Sequence, residues 1–247
     1  MECVIYLNAS KGLGDAIHLR AIVLHLLGRD EITVFTSWPD LFDDVAVTVR
    51  PLAAITDEEV LRSAAYPFKL NVPRGMSQFE MCCVQAGIDE PVALRLNRAV
   101  RNVALVAGIR SKAAGRPVLV YQPPKLACSA EQRQIQPSPQ AFRDFVASKA
   151  DHFRVRVGDP RYVEIGFESE CELDLCGRTS VSDVLDVGTV ADLFFSEPSY
   201  LSIMAEALER PYVCMFTRRA QHSQSRRIRN LTPERIFVKL GTAVYDE

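Results

Sequence analysis

The chain has 247 residues, 48% of them apolar and 24% charged, with a formal net charge of −2; this is the balance of an ordinary globule of one large or two small domains, not of a disordered or fibrous chain. So small a net charge excludes bulk attraction to nucleic acid or anionic membrane and leaves any such contact to a local patch. The seven cysteines (Cys3, Cys82, Cys83, Cys128, Cys171, Cys176 and Cys214) are odd in number, scattered through apolar context and form no CxxC, so they read as reduced, mostly buried thiols of a cytoplasmic protein.

The first predicted element is Cys3 to Leu7, a short apolar run suited to a parallel strand covered on both faces. The opening "MECVIYLN" lacks the basic segment of a signal peptide, and no apolar segment reaches the ~20 residues that span a bilayer. Gly12-Leu13-Gly14 breaks the strand, and Asp15 to Leu27 repeats apolar residues at helical spacing until Gly28 ends the helix. "EITVFT", Glu31 to Thr36, supplies the second strand, which completes a βαβ unit. A third strand is expected at Val45 to Val49, and helices at Asp57 to Ala65 and Ser77 to Ala86.

A second strand-led series begins near residue 117. "RPVLVYQPP" is an apolar strand broken by Pro123-Pro124, and Ser138 to Ala150 is a helix capped by Ser138 with Pro139 at its first position. "FRVRVGD" and "CELDLCG" follow as strands, then a helix from Ser180 to Val190 with a capping pair Ser180/Asp183. "ADLFFSE", a helix from Tyr200 to Leu208, and "PYVCMFT" complete the series. Strands and helices alternate throughout, so the class is α/β. The basic, small-residue stretch Val106 to Pro117 reads as a linker. The expectation is two Rossmann-like domains, residues 1–108 and 116–247, facing a central cleft. The C-terminal tail is expected to pack back on the first domain.

The turn at Gly12 and Gly14 admits three uses: a phosphate cradle, a bare tight turn, or a frame that presents Asp15. A dinucleotide fingerprint needs a third glycine where Ile17 stands, which disfavours a nucleotide-dependent oxidoreductase. A carboxylate in the first turn of a helix is also favoured by the free amides alone and needs no substrate. Lys11 suits a phosphate, a pair with Asp15 or plain solvation, and His18 reads as a partly exposed helix residue.

Three stretches carry a family resemblance: "KGLGDAIHLRAIVLHLLGRDEITVFT", "MCCVQAGI", and "LCGRTSVSDVLDVGTVADLFFSEPSYLSIMAEALERPYVCMF". They resemble, in order, the glycine–aspartate turn with its long helix, the helix that closes the first domain, and the second-domain "AD" strand, loop and helix of glycosyltransferase family 9. These are the ADP-heptose:lipopolysaccharide heptosyltransferases, of GT-B fold. The resemblance implies an inverting glycosyltransferase that moves a sugar from a nucleotide-sugar to an acceptor hydroxyl, with Asp15 as the base that takes the acceptor's proton. It implies no metal and no cofactor; the nucleotide diphosphate leaves as product. Acidic pairs such as Asp43-Asp44 and Asp89-Glu90 read as solvated charge.

On the same resemblance, donor contacts fall to Lys125 and Ser129 after the first strand of the second domain, to Glu197, Ser199 and Tyr200 in the "SEPSYLS" loop, and to Glu206, which reaches a ribose hydroxyl or faces solvent. Family members carry Asp-Ser/Thr-Gly-x-x-His in that loop, and this chain has neither the glycine nor the histidine. Acceptor or phosphate contacts are expected from Lys11, Gly12, Gly14, His18 and the arginines Arg218, Arg226 and Arg227 of "TRRAQHSQSRRIRN". That run suits a solvated loop, a diphosphate clamp or a polyanionic acceptor. The acceptor is a glycan, a glycolipid or a modified base in nucleic acid. The rival reading is a GT-B-shaped binding or scaffold protein without activity.

Overall fold

A computed structural model describes residues 4–8, 12–29, 31–62, 64–65, 76–126, 136–164, 166–217 and 241–246. It divides into two compact units, Met1–Arg98 and Ala99–Glu247.

In the first unit, β1 (Val4–Asn8), β2 (Glu31–Thr36), β3 (Thr48–Pro51) and the two-residue β4 (Ala64–Ala65) form one sheet in the order β3-β2-β1-β4. Every pairing is parallel, with Val4 opposite Glu31, Thr33 opposite Thr48 and Leu7 opposite Ala64. The crossover helix α1 (Leu13–Leu26) buries Gly14 through Val23 without a break. A helix covered on so many sides has to find partners for Asp15 and Arg20. It ends as the sequence requires, with Gly28 at φ +82° just past the last turn. The third strand starts later than expected because Val45 and Val47 turn back on Phe42 and Val45 through main-chain bonds of 3.0 and 2.8 Å. The helix expected at 57–65 is the shorter α2 (Asp57–Arg62), and Ala64–Ala65 pairs with β1 instead. The helix α3 (Gln78–Gln85) starts in a capping box of Ser77 and Glu80.

The second unit opens with α4 (Val103–Ala113), where the sequence reading placed a linker. Its small and basic residues belong to a helix, Arg110 and Lys112 lying in the last turn where the dipole favours cations. Asn102 caps it, its Oδ1 accepting from Leu105 N at 3.0 Å, and its Nδ2 donates to Asp183 Oδ1 at 2.7 Å. The main-chain N–H groups of Arg101 and Asn102 donate to Asp186 Oδ2 at 3.1 and 2.7 Å, so this start is fixed to the helix α6 (Val181–Gly188).

The sheet of the second unit holds β5 (Val118–Tyr121), β6 (Phe153–Arg156), β7 (Leu173–Asp174), β8 (Leu193–Ser196), β9 (Tyr212–Thr217) and β10 (Gly241–Asp246). Its order is β10-β9-β8-β5-β6-β7, all parallel. The tail strand β10 therefore completes this sheet and does not belong to the first unit's sheet, contrary to expectation. The helices α5 (Pro139–Ala147) and α7 (Tyr200–Ala207) also belong to the unit, α5 starting at Ser138 and Pro139 as predicted. The core gathers Leu119, Tyr121, Phe142, Val146, Phe167, Phe195 and Met215. Phe195 stacks on Phe145 with ring centroids 3.9 Å apart and lies tilted against Phe142 at 4.2 Å. Truncating such a ring to alanine costs about 3–5 kcal/mol. That cluster anchors the strand from which the Glu197 loop leaves.

Candidate functional site

Both sheets have a place where the chain reverses its direction of travel. In the first, the chain leaves β1 for β2 and β3 and returns to the other side of β1 at β4. In the second it leaves β5 for β6 and β7, then returns to the other side of β5 at β8. Loops that leave the carboxyl ends of such neighbouring strands part in opposite directions, and the crevice they open is where parallel α/β sheets bind ligands. The turn after β1 carries Gly12 to Asp15; the loops after β5 and β8 carry Lys125 and Glu197–Ser199. Lys11 and Ser129 lie outside the described residues, as do Arg218, Arg226 and Arg227.

In the first unit Gly12 is the N-cap of α1, without a side-chain cap, and Asp15 is acidic in the first turn. Its φ of −80° and ψ of 136° are open to any residue, so conformation does not require a glycine here. Space does: a β-carbon on Gly12 would stand 2.5 Å from Oδ2 of Asp15 and 3.1 Å from its Cγ. The carboxylate of Asp15 thus folds back over its own N-cap, and both Gly14 and Asp15 are buried. The Cys82 thiol of α3 is near enough that the Asp15 charge raises its pKa further, after burial and beside Cys83, so it stays protonated.

His18 does not fit the contact role expected of it. It is buried against Phe79, ring centroids 5.3 Å apart, and burial lowers its pKa to about 3. A neutral, enclosed imidazole supplies no positive charge to a phosphate. Asp44 also departs from the solvated reading. Arg20, fully buried, donates from Nε to Leu96 O at 2.5 Å, from Nη1 to Leu41 O and to Asp44 Oδ1 at 2.7 Å, and from Nη2 to Asp44 Oδ2 at 2.9 Å and Asn97 O at 2.8 Å. All the donors of the guanidinium are used. Glu90 is paired as well, with Arg29 and His25 at 2.9 Å each, and these contacts hold its pKa down at about 2.

In the second unit the loop after β5 meets the loop after β8. The main-chain N–H of Lys125 donates to Glu197 Oε1 at 3.0 Å, and its Nζ donates to Pro198 O at 3.1 Å. Nζ stands 3.9 Å from Glu197 Oε1 with 46% of the lysine side chain exposed, so the ion pair is worth only about 0–1 kcal/mol. Burial of Glu197 outweighs it. The carboxyl is pushed above the usual range by desolvation, with Lys125 pulling down and Glu164 pushing up. The same segment lies antiparallel to residues 162–164, through Leu126 N to Tyr162 O at 2.9 Å and Glu164 N to Pro124 O at 2.7 Å.

The hydroxyl of Ser199 caps α7, accepting from Leu201 N at 3.1 Å and donating to Ser196 Oγ at 3.2 Å. Tyr200 is half-buried, and burial raises its pKa, so its phenol is neutral. Glu206 neither faces solvent nor stands with this group. It is buried and accepts from the Tyr212 hydroxyl at 2.9 Å. Tyr212 begins β9, so Glu206 sits at the amino-terminal edge of the sheet, away from the carboxyl ends where Lys125 and Ser199 gather. Periodicity put it on a helix but could not say which end of the sheet that turn would reach. Two residues that the sequence reading passed over are Arg20 and Gln122. Their common signal is a polar residue inside or ending an otherwise apolar run.

No protein-family model matches the chain, and no curated protein matches it either. Solved structures do. ADP-heptose lps heptosyltransferase II of E. coli superposes with a TM-score of 0.65 at 13% identity, over 100% of this chain and 93% of that one. A glycosyl transferase family 9 protein from Veillonella parvula DSM 2008 gives 0.65 at 11%, over 98% and 85%. The iron-containing dodecameric glycosyltransferase TibC from enterotoxigenic E. coli H10407 gives 0.59 at 14%, over 87% of this chain and 58% of its own. The fold of the chain is that of GT-B glycosyltransferases, shared with solved members of glycosyltransferase family 9.

Proposed function

We propose that the chain is an inverting glycosyltransferase that moves a sugar from a nucleotide-sugar to an acceptor hydroxyl. The observation that carries this reading is the convergence of Lys125, Glu197 and Ser199 at the reversal point of the second sheet, with Asp15 at the corresponding point of the first. The ADP-heptose named for the E. coli structure supports a nucleoside diphosphate as the carrier.

In the proposed reaction the acceptor oxygen bonds to the anomeric carbon while its proton passes to the Asp15 carboxylate. The bond from that carbon to the diphosphate oxygen breaks on the opposite face, and the departing charge is met by Lys125 Nζ, which exchanges Pro198 O for phosphate. We infer that the first unit carries the acceptor side and the second the donor, and that no resident metal is needed, unlike the iron-containing TibC. The arginines at 218, 226 and 227 are assigned to a polyanionic acceptor, a phosphorylated glycan or glycolipid or a nucleic acid.

The reading without activity has one observation on its side: Lys125 already has an internal partner in Pro198 O. The loop after β5, "QPPKLACS", contains no glycine, which argues against a dinucleotide oxidoreductase in this unit. Thermal-shift measurement against nucleotides and nucleotide-sugars, followed by turnover of the best donor with and without EDTA, tests the proposal. A ligand that binds the native state raises its melting point. Binding without turnover for any acceptor leaves the inactive reading standing; loss of turnover in EDTA removes metal independence alone.

A further inference from the structure

The seam between β5 and β8 holds one polar group that the folded chain does not use. Gln122 is 3% exposed, and its side-chain oxygen is buried with no hydrogen-bond partner among the described residues. Buried polar atoms are nearly always paired, because an unmade hydrogen bond forfeits the water that the group gave up. An orphan at a strand's carboxyl end, in a crevice of the kind that takes ligands, is a group awaiting a partner.

Its surroundings are defined. Gln122 directly follows the last residue of β5, and its main-chain N–H donates to Phe195 O of β8 at 3.1 Å. On the other side the loop after β6 closes on the stem of the side chain. A β-carbon on Gly158 would lie 3.4 Å from Gln122 Cγ and 3.3 Å from Val163 Cγ1. Gly158 has φ +130°, which a side chain rarely adopts. The stem is therefore enclosed while the amide oxygen is left unspent.

The chemistry of that oxygen filters the ligand. It can only accept a hydrogen bond. An ionised diphosphate also has only acceptors, so it suits Lys125 and not the amide oxygen of Gln122. The backbones of the two are three peptide steps apart, a span of at most ~11 Å. Within that distance of its diphosphate, a nucleotide-sugar offers ring hydroxyls on both sides, from the ribose and from the sugar to be transferred.

We propose that Gln122 is a specificity-determining residue of this site, its amide oxygen accepting a hydrogen bond from a ring hydroxyl next to the diphosphate. The inference rests on the nucleotide-sugar reading above. Gln122→Leu removes the polar atoms at similar volume, and Gln122→Met does so with an unbranched stem. The probes are ADP, UDP, GDP, CDP, ADP-glucose and UDP-glucose, with affinity read by calorimetry. Both variants should melt near or above the wild-type temperature, since the buried amide oxygen that they remove makes no internal bond among the described residues. Affinity for the best probe should fall ~10-fold, the scale of one hydrogen bond. A loss already present with the bare nucleoside diphosphate assigns the ribose; a loss confined to the sugar-bearing probe assigns the transferred sugar. Unchanged affinity in both variants, or a lowered melting temperature in both, overturns the proposal and leaves the transferase reading intact. If the wild type binds no probe, both readings fall together.

Discussion

The carboxylate of Asp15 occupies the space that a side chain on Gly12 would need. The glycine is thus required by the aspartate, not by the backbone, which gives Gly12→Ala a defined effect. The methyl group should push the Asp15 carboxylate to another rotamer while α1 keeps its N-cap geometry. Stability should change by no more than about 1 kcal/mol, the scale of a cap, while transfer falls. Asp15→Asn should lower transfer ~10²–10⁴-fold, the contribution of a general base. The double variant should be no slower than Asp15→Asn alone, because both changes remove the same group. Additive losses in turnover would show that Gly12 acts elsewhere.

Arg20→Met should be among the most damaging changes in the first unit. It strands Asp44 and the carbonyls of Leu41, Leu96 and Asn97, and breaking one side of a buried pair costs about 3–5 kcal/mol. Arg20→Lys should recover little, since an ammonium cannot reproduce the planar fork. Chemical denaturation of the three proteins reads this directly; a loss below about 1 kcal/mol in both variants would mean that the ties to residues 41–44 and 96–97 do not hold the unit.

Glu197 gives stability a particular pH dependence. Its folded-state pKa is raised, so the folded state holds the proton more tightly than the unfolded chain does. The ionised group costs nothing below the ordinary carboxylate value and costs progressively more as pH rises through the folded value. Glu197→Gln should therefore match the wild type near pH 4 and exceed it increasingly toward neutrality, with the gap level above the folded pKa. Melting temperatures across pH 4–8 check this. A gap that shrinks as pH rises would mean that Lys125 stabilises the carboxylate more than burial opposes it.

Lys125→Ala should weaken nucleoside diphosphate binding by about 1.5–3 kcal/mol, the value of a charged hydrogen bond, and leave the fold intact because the lysine side chain is half exposed. Removing the positive charge that acts on Glu197 should also move the pH window of the preceding test upward. Equal affinity for every nucleotide would take Lys125 out of the site.

Much of this architecture was legible in the sequence, and for a reason. Apolar runs closed by Gly28 or Pro123-Pro124, and serine caps at Ser138 and Ser180, are local signals that tertiary context did not override. The α4 region was misread because small and basic residues look alike in a linker and on the exposed side of a helix; only its bonds to Asp183 and Asp186, more than seventy positions away, distinguish them. The same holds for the site. Asp15 and Lys125 stand beside turns that punctuation reveals, whereas the burial of His18, the pairing of Asp44 with Arg20 and the reach of Glu206 to Tyr212 depend on which elements become neighbours. Periodicity says which way a residue faces and never what it will meet.

The closing of the second sheet by β10 also orders events during synthesis. Residues 212–217 acquire their outer partner only when residues 241–246 have emerged from the ribosome. Until then β9 has an open parallel edge, a template for pairing with other chains. The first unit, whose described strands all lie before residue 66, is free to fold by that stage. A stall between residues 217 and 241 would therefore leave a first unit free to fold tethered to a second one whose β9 still lacks its β10 partner.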